Sequence, residues 1–241
     1  MIFVSEKMSL KYIYFDIDNT LLNHSKAEAA AQKEIYKLYP EMQSVTEKEW
    51  IDGYQEINHK LWLQYQKGEI TREELHYTRF NGTMINLGID SERSVEIGST
   101  YMMKYREHWS WVDGAEEALE FIAEKFPVGF ITNGFQETQR MKVEFMNLGR
   151  FGENVIISEE IGVMKPDPKV FDIATEKSAS KRDSILYVGD SYSSDILGGR
   201  NAGWKTAWFT RLNGSIQNGQ TADLIFDHYP MLIHFLGNGE V

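Results

Sequence analysis

Two aspartates two residues apart, Asp16 and Asp18, follow the apolar run Tyr12-Ile13-Tyr14-Phe15 in this 241-residue chain. An ionised carboxylate in such a place can attack an electrophilic centre, and a second one nearby can carry protons for the group that leaves. The same pattern also serves a plain turn, because Asp and Asn hydrogen-bond their own backbone and cap helices. A second acidic pair stands in Val188-Gly189-Asp190-Ser191-Tyr192-Ser193-Ser194-Asp195. Alone, Asp190 reads equally well as a helix cap. Beside Asp16 it would make a hard-oxygen site with few protein ligands, which is how Mg²⁺ is held when waters and a phosphate complete its shell. His24, His59, His76, His108, His228 and His234 show no close ligand spacing, and there is no cysteine, so neither a zinc site nor a thiol nucleophile is expected.

Two further segments carry groups suited to an anion. Lys165 stands in Lys165-Pro166-Asp167-Pro168, where two prolines stiffen the backbone around a cation. A loop lysine is more often simply solvated. Thr132-Asn133-Gly134 sits where a strand gives way to a helix. It reads either as a cap and turn, or as a hydroxyl and backbone N–H groups that cradle a phosphate.

These groups need elements to hold them. Residues 12–15 form a short buried strand, and residues 26–109 carry helical spacing with few strand signals. Within that block Thr71-Arg72-Glu73-Glu74 is a capping box, with one helix ending near Gly68 and the next starting at Thr71. After Asp113-Gly114 helix and strand alternate: Ala115, Ala118, Leu119, Ile122 and Phe126 share a helical face. Strands are expected at 128–131, 155–158, 185–188, 206–209 and 224–226, with helices at 136–148, 168–177, 195–201 and 231–236. Such alternation implies an α/β fold, a doubly wound parallel sheet covered on both faces. Residues 1–23 and 110–241 would make this core, and residues 24–109 an inserted helical domain. The chemical groups then all fall just beyond predicted strands, where ligands of open α/β sheets bind.

Composition narrows the partners. The chain is 42% hydrophobic and 25% charged, with 25 basic against 36 acidic residues and a net charge of −11. That surface disfavours a nucleic acid polymer, whose affinity comes from phosphate neutralisation. No apolar run reaches the roughly 18–20 residues of a membrane span. Glu6 and Lys7 interrupt any secretory signal, which makes a cytoplasmic location the expectation. Met8 is an alternative start to Met1. The sequence carries no sign of oligomeric state.

Taken jointly, Asp16-x-Asp18-x-Thr20, Thr132, Lys165 and Gly189-Asp190 with Asp195 resemble the haloacid dehalogenase-like superfamily over residues 11–235. The helical insert looks like that superfamily's cap, and the core like its Rossmannoid sheet. The resemblance implies Asp16 as nucleophile forming an aspartyl-phosphate and Asp18 as acid and base. It implies Mg²⁺ held by Asp16, the main-chain carbonyl of Asp18 and Asp190. Thr132, Asn133 and Lys165 would bind the phosphate of a small-molecule ester. Thr20 and Asp195 would stand behind them, Asp195 orienting Lys165 or metal-bound water. Dehalogenase members lack an aspartate at the position of Asp18, and mutase members usually have Gly at that of Asn19, so hydrolysis is favoured. The runs Leu61-Trp62-x-x-Tyr65-Gln66-x-Gly68-x-Ile70-Thr71, Ile131-Thr132-Asn133-Gly134-Phe135 and Ser194-Asp195-Ile196-Leu197-Gly198-Gly199 look like house-cleaning pyrimidine 5′-nucleotidases of the YjjG type. A sugar-phosphate or general metabolite phosphatase is the alternative; a phospho-accepting signalling domain and a catalytically silent binding protein are further ones. Trp50, Tyr54, Trp62, Tyr65, Tyr77 and Phe80 could stack on a base or simply fill the insert's own core.

Overall fold

A computed structural model describes residues 10–212 and 219–237; Met1 and Met8 both lie outside the described residues. The chain divides into two compact units, Met1–Asn23 with Trp111–Val241, and His24–Ser110.

In the first unit, β1 (Tyr12–Phe15) is buried along its whole length. Helix α1 (His24–Leu38), α2 (Glu47–Gln66), α3 (Arg72–Asn86) and α4 (Ser94–Glu107) belong to the second unit. The first unit then resumes with α5 (Ala115–Ala123), β2 (Val128–Thr132), α6 (Gln136–Phe145), β3 (Asn154–Ile157), the short α7 (Ser158–Ile161) and α8 (Pro168–Ser178). It continues through β4 (Ile185–Gly189), α9 (Leu197–Asn201), β5 (Lys205–Phe209), β6 (Leu224–Phe226) and α10 (Tyr229–Gly237). All strand pairs are parallel, in the order β3-β2-β1-β4-β5-β6. This is the doubly wound α/β sheet expected from the alternation. β1, β2 and β4 are continuous apolar runs rather than alternating ones, as strands covered on both faces must be. On one face Tyr12, Tyr14 and Tyr187 pack with Val170, Phe171 and Trp204.

The helical unit is organised by its own caps. Thr71 and Glu74 bond reciprocally at the start of α3, as the sequence predicts, and Thr46 with Glu49 does the same for α2. Trp50, Tyr54, Phe80 and Tyr101 are buried, with Tyr54 and Phe80 each 5.0–6.5 Å by ring centroid from one another and from both Trp50 and Tyr101, and Trp50 Nε1 donates to Gln32 Oε1 at 2.8 Å. For Trp50, Tyr54 and Phe80 the space-filling reading therefore holds. Tyr77 is 54% exposed, while Trp62 and Tyr65 are half-buried and meet edge to face. Among the described residues no helix is long and apolar enough to cross a membrane.

One departure from expectation matters for the site. Helix was expected over 195–201; instead a π-helical turn, Tyr192–Ile196, precedes α9. Single π turns are rare and are found frequently at functional sites.

The turn that leads into β3 gives a direct test of packing. A Cβ at Gly152 would fall 2.0 Å from the Val128 carbonyl oxygen, which is backbone and cannot step aside, whereas one at Gly149 would meet nothing within 4 Å. Gly152→Ala should cost about 1–3 kcal/mol, read as a fall in Tm of roughly 2–4 °C per kcal/mol, and Gly149→Ala should be close to neutral. Equal melting temperatures for the two variants would contradict this packing.

Candidate active site

The site forms where strand order reverses. β1 lies between β2 and β4, with Phe15 opposite Phe130 on one side and Val188 on the other. Asp16 is the first residue past β1 and its N–H donates to the Val188 carbonyl at 2.9 Å, so the last ladder bond also fixes the backbone of this aspartate. Asp190 is the first residue past β4 and its carbonyl accepts from Trp208 Nε1 at 2.8 Å. Adjacent parallel strands thus deliver two carboxylates to one sheet edge.

The π turn supplies the third. Asp195 is 1% exposed and accepts from the Ser191 N–H at 3.0 Å. A Cβ at Gly189 would lie 2.5 Å from Asp195 Oδ2, so the glycine at the end of β4 is what lets that carboxylate approach the strand. Lys165 comes from the loop before α8. Its ammonium, 2% exposed, lies 2.7 Å from Asp16 Oδ1, 2.8 Å from Asp195 Oδ1, 2.7 Å from the Tyr187 hydroxyl and 3.1 Å from the Ile131 carbonyl.

Asp16, Lys165, Asp190 and Asp195 are therefore one buried cluster. Burial alone would lower the pKa of Lys165, but the Asp16 and Asp195 charges outweigh it and hold the ammonium well above its ordinary value. Burial pushes the Asp16 carboxyl up; Lys165 draws it down, Asp195 and Asp18 push it up again, and the net shift is upward. Burial also keeps the Tyr187 phenol protonated, as a donor to the Ile131 carbonyl at 2.9 Å.

One carboxylate oxygen from each of Asp16, Asp190 and Asp195 lies within 4.8 Å of the others. Among the described residues, three carboxylates and the Lys165 ammonium make up this cluster. An all-oxygen donor set of this kind fits a small hard divalent cation, and the neighbouring Asp195 charge contributes to the upward shift of Asp16.

The remaining residues singled out in the sequence lie around this cluster in different ways. Asp18 turns its carboxylate to the Lys142 ammonium, at 2.6 and 2.8 Å, and to Gln139 Nε2 at 2.8 Å. Thr132 is 1% exposed and its hydroxyl donates weakly to the Asn133 carbonyl at 3.4 Å. The Asn133 amide is used at both ends on the Lys165 backbone, donating to its carbonyl at 2.9 Å and accepting from its N–H at 2.8 Å. The side chain thus clips one loop to another and fixes where Lys165 begins. Thr20 is fully buried, its hydroxyl has no hydrogen-bond partner among the described residues, and its carbonyl accepts from Tyr229 at 2.6 Å. Tyr229 is near enough to Asp16 and Asp190 that, after burial, their charges help keep its phenol protonated.

Sequence reasoning missed Tyr187, Gln139 and Lys142. Tyr187 reads as one more core aromatic in β4. Gln139 and Lys142 carried a usable signal, being three residues apart on a helix that starts at the Thr132-Asn133-Gly134 loop.

A sequence model of the haloacid dehalogenase-like hydrolases matches residues 13–209. Pyrimidine 5′-nucleotidase YjjG of Escherichia coli is 32% identical over 202 residues, covering 83% of this chain and 86% of its own. A glyceraldehyde 3-phosphate phosphatase of Pyrococcus furiosus is 29% identical over 241 residues, covering 94% and 93%. Among solved structures, the HAD-hydrolase YfnB of Bacillus subtilis, bound to magnesium, has a TM-score of 0.80 at 26% identity and covers 94% of this chain and 98% of its own. With motifs, fold and family model in agreement over most of its length, this chain belongs to the haloacid dehalogenase-like hydrolases.

Proposed function

We propose that this hydrolase is a phosphatase acting through an aspartyl-phosphate on Asp16, and that its substrates are nucleoside 5′-monophosphates of the pyrimidine type. The observation that carries the reading is the Asp16–Lys165–Asp190–Asp195 cluster, in which a buried carboxylate stands beside a cation and within reach of two further carboxylates able to hold a metal ion with it. A phosphoryl group, with charge spread over its oxygens, is what positioned cations stabilise in transfer.

In this account Asp16 attacks phosphorus and the leaving alcohol departs on the opposite side. Asp18 gives the alcohol its proton, then takes one from the water that releases phosphate from Asp16. Lys165 holds Asp16 and offers its charge to the phosphate, with Asp195 and Tyr187 fixing its ammonium. The Thr132 hydroxyl and the backbone N–H groups of the loop through Asn133 complete the cradle. Mg²⁺ held by Asp16, Asp190 and the main-chain carbonyl of Asp18 would supply the charge that lets an anion approach this carboxylate, with Thr20 behind it.

The nucleotidase assignment draws on the 32% identity to YjjG. The similarity to a glyceraldehyde 3-phosphate phosphatase across 94% of the chain favours a second reading, a phosphatase of small sugar phosphates. Phosphate release from a panel of both classes separates them. The first reading expects kcat/KM for pyrimidine monophosphates at least about tenfold above triose and hexose phosphates, a difference of roughly 1.4 kcal/mol; the reverse order supports the second.

Asp16→Asn should abolish phosphate release while the circular dichroism spectrum stays native; full activity would remove Asp16 as nucleophile. Asp18→Asn should lower kcat by about 10²–10⁴-fold, the usual range for a lost proton carrier. EDTA should silence the protein and Mg²⁺ restore it.

The buried carboxyl of Asp16 gives an independent thermal test. Because the folded pKa of Asp16 is raised, its charge opposes folding of the metal-free protein progressively as pH rises above the ordinary carboxylate range, and the effect vanishes below it. At pH 8 in EDTA, Asp16→Asn should melt at or above the parent protein. Mg²⁺ should raise the Tm of the parent and much less that of the variant. Equal stabilisation of both by Mg²⁺ would show that Asp16 does not hold the ion.

A further inference from the structure

Asp18 does not choose its own rotamer. Lys142 Nζ contacts both of its carboxylate oxygens, at 2.6 and 2.8 Å, and Gln139 Nε2 donates to Oδ2 at 2.8 Å. Both donors are 3% exposed and lie three residues apart on α6, where side chains at that spacing share a face. Burying an ammonium and an amide is costly unless each is paired, and apolar side chains of similar volume would serve stability as well or better. Their presence calls for a role that an apolar pair could not fill.

The geometry of α6 shows what the role is. The helix begins just after Thr132-Asn133-Gly134, and Gln139 Nε2 also reaches back to the Asn133 carbonyl at 3.4 Å. Gly134 has φ +146°, and a Cβ there would lie 2.6 Å from Gln139 Nε2, so the loop is shaped to let this amide in. One helix therefore grips Asp18 by both oxygens and is fastened at its start to the loop that would hold the phosphate.

We infer that Lys142 and Gln139 are positioning residues: they set the carboxylate of Asp18 and tie its placement to the phosphate loop. The inference rests on the phosphatase reading, in which Asp18 carries the proton for the leaving alcohol.

A leaving-group comparison tests it. An alkoxide, as in a nucleoside 5′-monophosphate, must be protonated to leave, whereas p-nitrophenolate leaves without help. kcat/KM reports the steps through the first displacement, where that proton moves. Lys142→Met should lower kcat/KM by about 10–100-fold on the nucleotide and by less than about threefold on p-nitrophenyl phosphate, part of what a proton carrier contributes. Lys142→Arg should recover most of the loss, and Gln139→Leu should show a smaller loss with the same preference for the alkoxide ester. In an Asp18→Asn background Lys142→Met should cause no further decrease, because the group it positions is gone. Equal losses on both esters, or losses that multiply with Asp18→Asn, would overturn the inference, as would unchanged nucleotide turnover. Should Lys142→Met fail to fold, Gln139→Leu in the same two backgrounds decides between these outcomes. A parent protein that hydrolyses neither ester would instead bring down the phosphatase reading itself, so the two failures are distinguishable.

Discussion

The structure depends on one buried ammonium. Lys165 is placed among Asp16, Asp195, Tyr187 and the Ile131 carbonyl, and without these oxygens its charge could not stay where it is. The reverse holds too, since Asp16 and Asp195 would repel each other inside a buried site. Removing the ammonium from such a buried set costs about 3–5 kcal/mol, because the carboxylates are left uncompensated. Much of the surrounding architecture answers to that constraint. Gly189 makes room for Asp195, the π turn aims it, and Asn133 clips the Lys165 backbone to the end of β2. Among the described residues the cluster sets three carboxylates around one ammonium, a donor set that fits a divalent cation.

The fold was legible because two kinds of periodicity do not overlap. The apolar runs at 12–15, 128–131 and 185–188 are too short for helices and too continuous for half-exposed strands. The observed strands extend those at β2 and β4 by one residue, to Thr132 and Gly189. The capping box at Thr71 was legible because its two side chains act within four residues. The box at Thr46 has the same Thr-x-x-Glu form, and sequence reasoning missed it. The π turn was not legible, since the Ser-rich run before Asp195 encodes no distinction between one helical winding and another.

For the site, residues that sit just past strands could be named from the sequence, because strand ends fix where a side chain can go. Partners contributed by the middle of an element could not. Lys142 lies 124 positions from Asp18 in the chain, and Tyr187 is one core aromatic among many until its hydroxyl is seen 2.7 Å from Lys165. Asn133 shows the converse. Its position is readable from the sequence, but only the folded chain reveals that its amide is bound at both ends to another loop.

The central claim is that Asp16 becomes covalently attached to the phosphoryl group. The most direct measurement is to quench the protein in acid during turnover of a nucleoside 5′-monophosphate with Mg²⁺, digest it, and locate the modification by mass spectrometry. The account predicts a phosphoryl group on the peptide containing Asp16, discharged by hydroxylamine as an acyl phosphate is. An unmodified Asp16 throughout turnover, with the adduct on another side chain, would contradict it.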